Sequence, residues 1–163
     1  MENLIKGFNE NKAFRITSLL VLLLILITAL APVIAPYNPL EAVMRDANAA
    51  PSAAHLFGTD KLGRDVLSRI LYGASYSLTS VLFLVFLIFV VGTFLGVIAG
   101  YFGGIVDTVI MRFADMMISF PGVILAIAIA GILGGSLVNA MIAMLCVTWT
   151  KYARLSRSMV LKI

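Results

Sequence analysis

Long apolar runs separated by short polar stretches organise this chain. From Ile16 to Ala35 no charge interrupts the sequence, and about 20 apolar residues suffice for a helix to cross the hydrocarbon core. Lys6, Lys12 and Arg15 precede this run, and Pro36 with Pro39 end it. A secretory signal peptide also begins with basic residues, but the run is longer than a usual signal core and further apolar segments follow, so a retained helix is predicted. A second uncharged run extends from about Leu78 to Phe102, where Gly92, Gly96 and Gly100 fall four apart on one helix face. That spacing lets another helix approach closely. Gly103 and Gly104 break it. A third span is predicted from about Met116 to Leu133, with Ser119 and Pro121 marking a local break, and Gly134-Gly135 ends it. A fourth runs from about Leu137 to Trp149.

The stretch from Tyr37 to about Tyr76 is polar and punctuated by turn signals at Tyr37-Asn38-Pro39, Ala50-Pro51-Ser52 and Gly58. Its charges, Glu41, Arg45, Asp46, Asp60, Lys61, Arg64, Asp65 and Arg69, sum to zero. From Asp65 onward Val66, Leu67, Ile70 and Leu71 recur at helical spacing, which predicts a short amphipathic helix at the membrane surface, with Asp60 as its N-cap.

Composition sharpens this picture. The 163 residues are 61% hydrophobic and 12% charged, with a mean hydropathy of +1.06, far from a soluble domain. Net charge is +4, yet the cations gather at the chain ends as topology signals do, which argues against nucleic-acid binding. Lys151, Arg154, Arg157 and Lys162 follow the fourth span and place that end in the cytoplasm. An even number of spans then puts the N-terminus there too, the 37–76 loop outside and the 103–115 turn inside. No alternating strand pattern of a membrane barrel is visible. The expected fold is an all-α integral membrane bundle of about four transmembrane helices with a polar external loop.

Candidate chemistry is sparse. No phosphate-binding glycine loop and no nucleophile-base pair is present, so an enzyme is not expected. Cys146, the single cysteine, reads as a small buried hydrophobe, and His55, the single histidine, as a solvated loop residue. Arg112 and Asp115 lie three apart and can pair on a helix as a snorkelling pair at the cytoplasmic edge, or one of them can serve a gating or helix-helix contact. Asn139 suits an interhelical hydrogen bond or interfacial solvation. Met111, Met116, Met117, Met141 and Met144 read as flexible packing rather than a soft-metal path.

The segment Ala54-His55-Leu56-Phe57-Gly58-Thr59-Asp60-Lys61-Leu62-Gly63-Arg64-Asp65-Val66-Leu67-Ser68-Arg69 resembles the LGTDxLGRDxxSR loop of the second permease subunit in the dipeptide, oligopeptide and nickel class of bacterial ABC importers. Phe57 stands where that family has leucine. Tyr72 to Leu78, Gly100 to Gly104 with Val106-Asp107, Met111-Arg112 with Ala114-Asp115, Phe120-Pro121, and Trp149 to Leu155 with Arg157-Ser158 and Val160-Leu161 are similar to further family motifs in the same order.

The resemblance implies the front half of a type-1 permease fold, with residues 1–74 as an N-terminal helix plus external loop and 75–163 as the start of the permease domain. The family continues into a Glu-Ala-Ala…Gly loop that docks on the ATPase, so the chain reads as truncated before that point. It also implies a multi-pass protein of the cytoplasmic membrane, both ends inside, surrounded by lipid. Its partners would be a second permease subunit, ATP-binding subunits and an extracytoplasmic solute-binding protein. ATP would be used by the partner subunits, with no cofactor on this chain. The cargo would be nickel or di- and oligopeptides. Asp60, Arg64 and Asp65 are the candidates for shaping the outer loop, and Arg112, Asp115, Lys151, Arg154 and Arg157 for the cytoplasmic edge. The competing classes are a non-transporting membrane interaction protein derived from such a permease, and an ion-coupled secondary transporter. The latter class places ionisable groups at mid-membrane, and none lies at mid-span here.

Overall fold

The computed structural model describes residues 11–162, so Lys6 and Ile163 lie outside the described residues. Among these residues the secondary structure is helical, with one isolated bridge between Thr59 and Asp65 and no strand. The chain divides into two compact units, Met1–Thr79 and Ser80–Ile163.

In the first unit, α1 (Lys12–Ala29) starts at Asn11, whose side-chain oxygen accepts the N–H groups of Ala13 and Phe14 at 3.0 and 3.2 Å. This cap satisfies donors that an apolar surrounding would leave orphaned. Thr17 and Thr28 bond back to carbonyls of the preceding turn, which lets hydroxyls sit in an apolar helix at little cost. A four-residue helix, α2 (Ala31–Ile34), follows with Pro32 in its first turn. Pro36 and Pro39 then turn the chain into the loop.

Helix α3 (Val66–Phe102) has 37 residues. At 1.5 Å per residue it is about 55 Å long, well beyond a hydrocarbon core of about 30 Å. The helical spacing from Asp65 is therefore real, but it forms the first turns of this long helix and not a separate surface element.

In the second unit α3 continues to Phe102, followed by α4 (Gly104–Ser119), α5 (Gly122–Leu133) and α6 (Leu137–Val160). The segment expected as an inside turn at 103–115 is thus mostly helix. α4 and α5 meet at a 93° bend over Phe120-Pro121. Proline removes a backbone donor and forces the preceding residue extended, and Phe120 has φ −95° and ψ 145°. By length and composition α1 and α3 can each cross a membrane, and the bent pair can form a third span. α6 is long enough at 24 residues, but its second half carries Lys151, Arg154 and Arg157. The core lies where α6 crosses α3 and α4: Ala114, Trp149 and Ala153 are buried, with Val91, Leu95, Ile110 and Met111 packed around them.

Candidate functional site

The polar segment of the first unit is a self-bonded structure. Asp60 Oδ1 accepts the backbone N–H groups of Leu62 at 2.8 Å and Arg64 at 3.1 Å, which closes an Asx turn. Its Oδ2 accepts from Arg64 Nε at 2.8 Å and also from Arg69, in the first turn of α3. One carboxylate therefore holds two guanidinium groups. The Arg64 side-chain bond, opposed by desolvation and helped by the backbone bonds of Arg64 and Leu62, holds the Asp60 carboxyl well below the usual carboxylate range. Asp60 is not the N-cap of α3.

That cap is Asp65. Its Oδ2 accepts the N–H and the hydroxyl of Ser68, each at 2.8 Å, the bonding expected of the residue before a first helical turn. Its Oδ1 lies 3.0 Å from His55 Nδ1. Asp65 is buried, and burial pulls its pKa up, but the Ser68 donors and His55 more than offset this and the net shift is downward. His55 is accordingly not a solvated loop residue. It pairs with Asp65 and packs on Tyr37, ring centroids 4.8 Å apart. Tyr37 in turn donates its hydroxyl to the Ala54 carbonyl at 2.9 Å, and its N–H to Ser68 Oγ at 3.1 Å.

Backbone bonds complete the unit. Thr59 N–H donates to Ala49 O at 3.0 Å, Ala49 N–H to Thr59 Oγ1 at 2.8 Å, and Val66 N–H to Gly58 O at 3.1 Å. Gly63 has φ +74°, and a Cβ there would stand 1.8 Å from the Val43 carbonyl oxygen. Only glycine fits that position.

The second unit is built on the glycine stripe. A Cβ at Gly92 would lie 2.6 Å from the Trp149 carbonyl oxygen, and one at Gly96 would lie 2.2 Å from that of Ala153. The missing side chains let the α3 and α6 backbones touch. Phe113 of α4 stacks on Trp149 with centroids 6.2 Å apart. Two ion pairs join α4 to α6: Asp107 takes Arg157 through both carboxylate oxygens, and Asp115 takes Arg154. Of the two readings for Arg112 and Asp115, the local pair does not form, and Asp115 makes a helix-helix contact instead, because Arg154 reaches it from the facing helix. Asn139 caps the end of α5, donating to the carbonyls of Leu133 at 2.6 Å and Gly134 at 3.1 Å. Cys146 is exposed in this chain, not buried as expected. It borders an apolar hollow with Val91, Leu95, Phe113 and Trp149.

The expected loop residues are thus divided between two clusters, Asp60 with Arg64 and Asp65 with His55 and Ser68. Of the edge residues, Asp115, Arg154 and Arg157 are joined in pairs, while Arg112 and Lys151 form no ion pair among the described residues. Sequence reasoning missed Tyr37, His55 and Ser68. The available signal was Asp65 standing directly before the first apolar helical residue. The described residues hold no group of three or more His, Cys, Asp or Glu placed to bind a metal.

A multi-helix apolar chain with a glycine-packed core, a bent helix pair and a folded polar loop is an integral membrane component of a multi-pass kind. Comparison with known proteins gives the family. Residues 92–163 match the binding-protein-dependent transport system inner membrane component, and residues 4–51 match the N-terminal transmembrane domain of oligopeptide transport permease C. The chain belongs to this family of inner membrane transport components.

Among its relatives, the dipeptide transport system permease protein DppC of Haemophilus influenzae is 41% identical over 93% of this chain and 53% of its own length. The glutathione transport system permease protein GsiD of Pectobacterium atrosepticum is 42% identical over 85% and 46%. The probable D,D-dipeptide transport system permease protein DdpC of Escherichia coli is 37% identical over 90% and 49%. The chain spans about half the length of these relatives.

Proposed function

We propose that this chain serves as a permease subunit of an ATP-driven importer that moves short peptides across the cytoplasmic membrane. The observation that carries the reading is the match of residues 92–163 to the binding-protein-dependent transport component, with dipeptide and glutathione permeases among the relatives. The broken α4–α5 pair, bent by 93° at Pro121, is its candidate moving part. Irregular backbone at membrane depth is tolerated where protein or a water-filled cavity receives it, and a helix broken at proline gives its two halves a point at which their angle can change. Here both halves are held to α6, α4 by the Asp107–Arg157 and Asp115–Arg154 pairs and α5 by Asn139. A change of angle at Pro121 would then be felt along α6 and, through the glycine stripe, along α3.

In this reading the 37–65 loop and the first turns of α3 face an extracytoplasmic solute-binding protein, with Asp60, Arg64 and Asp65 fixing the loop's shape. The edge carrying Arg112, Asp115, Lys151, Arg154 and Arg157 faces the cytoplasm, where the ATP-binding subunits act. A second permease subunit completes the path. The relatives named above are dipeptide and glutathione permeases, which favours peptides over nickel as cargo.

The test is uptake of radiolabelled dialanine by source cells with and without the gene, at its own locus and beside its own partner genes. Loss of uptake on deletion, restored by the intact gene but not by an Asp107→Ala, Asp115→Ala variant of normal membrane abundance, is the expected result. Unchanged dialanine uptake after deletion would overturn the reading and leave a non-transporting membrane protein.

A further inference from the structure

A cavity of about 320 Å³ opens at the elbow of the bent pair, between Met117 and Ile118 of α4, Val123 of α5 and Met144, Val147 and Lys151 of α6. Its wall is mostly apolar and its one charged residue is Lys151. The cations that follow on the same helix are neutralised, Arg154 by Asp115 and Arg157 by Asp107. Lys151 forms no ion pair among the described residues. It lies about 21 Å along the axis from Leu137, at 1.5 Å per residue. On a membrane helix that places its Cα inside or at the edge of the hydrocarbon layer, so the ammonium must reach toward the phosphate level.

We propose that this groove binds an anionic phospholipid, the headgroup phosphate meeting the Lys151 ammonium and an acyl chain lying against Met117, Ile118, Val123 and Met144. The two halves of the groove match the two halves of that ligand. A lone cation calls for an anion, and the apolar wall in a lipid-embedded chain calls for a tail. A soluble dipeptide would satisfy the charge but leave most of the wall uncovered. The proposal needs only that the chain sits in a membrane, so it stands apart from the transport reading.

The experiment is native mass spectrometry of the full chain in mild detergent, titrated with dioleoyl phosphatidylglycerol or dioleoyl phosphatidylcholine. The intact chain is expected to retain the anionic lipid in preference to the zwitterionic one. Lys151→Ala is expected to lower that preference about five-fold, the worth of one cation near an anionic surface, while Lys151→Arg keeps it. Val123→Phe, which fills the groove, is expected to reduce retention of both lipids. Arg112→Ala, which removes an exposed cation that does not line the groove, is expected to change nothing. Unaltered emission of Trp149 shows that each variant keeps its core. Lys151→Ala or Val123→Phe binding phosphatidylglycerol as the parent does would overturn the proposal. So would its release by millimolar dialanine, which would make the groove a site for soluble carboxylates.

Discussion

Replacing Gly96 by alanine tests whether α3 and α6 meet backbone to backbone. The new Cβ would stand 2.2 Å from the Ala153 carbonyl oxygen and 2.9 Å from its Cα and carbonyl carbon. Ordinary contact begins at 3.4 Å, so the two helices must part by roughly 1 Å, and no flexible side chain can absorb the difference. A gap of that size forfeits a quarter to a half of each dispersion contact along the seam. Overpacking of a tight site costs about 3 kcal/mol at the upper end, against which alanine returns about 1 kcal/mol of helix propensity. The net expectation is a loss of about 2 kcal/mol, near thirty-fold in the folded-to-unfolded ratio. Gly131→Ala in α5 meets nothing within 4 Å and should be neutral or stabilising by up to about 1 kcal/mol. The assay is sodium dodecyl sulfate titration out of mild detergent, followed by emission of Trp149. It is the only tryptophan in the chain and sits in the seam itself. Equal midpoints for Gly96→Ala and Gly131→Ala would refute the close approach.

Three further expectations follow from the same structure. Gly63→Ala adds both left-handed strain and a clash with Val43 O, together about 3 kcal/mol, and should be read as faster proteolysis within the 37–65 loop while α3–α6 stay intact. Asp107→Ala and Arg157→Ala, each half-sheltered, should lose about 1 kcal/mol of coupling in a double-mutant cycle scored by the detergent titration; a coupling near zero would show the pair to be ornamental. The depressed pKa of Asp65 makes its stabilising effect fully present above its unfolded value, about 3.9, and lost only as pH falls through the lower folded value. Protection of the loop amides, measured as exchange relative to the intrinsic rate at each pH, should therefore stay flat from neutral pH down to the ordinary carboxylate range and fall below it. Asp65→Asn should raise loop exchange across the whole range, and a loop that loosens already at pH 6 would contradict the assignment.

What the sequence disclosed and what it withheld divide along one physical line, between periodicity within a segment and pairing between segments. Apolar runs and their glycine or proline ends are local, and they marked the apolar stretches, the break at Pro121 and the stripe at Gly92, Gly96 and Gly100 without any partner in view. Helix continuity was misjudged at the start of α3 for the same reason. Polar residues from Val66 to Tyr76 looked like a surface element because hydropathy changes there, but nothing in the backbone stops a 37-residue helix from projecting beyond the lipid. Pairings were the part that spacing could not decide. Arg112 sits at ideal helical distance from Asp115, yet Asp115 binds Arg154, 39 positions away, because α4 lies against α6. His55 looked solvated because its neighbours in sequence are polar, and it is held because Asp65 caps a helix ten residues later with one oxygen to spare. A carboxylate placed as a cap thus recruits the nearest free donor in the folded loop. That logic makes Asp65, and not the Asp60–Arg64 turn, the residue whose removal should disconnect the loop from α3. Arg64→Ala leaves Arg69 on Asp60, whereas Asp65→Ala frees both Ser68 and His55.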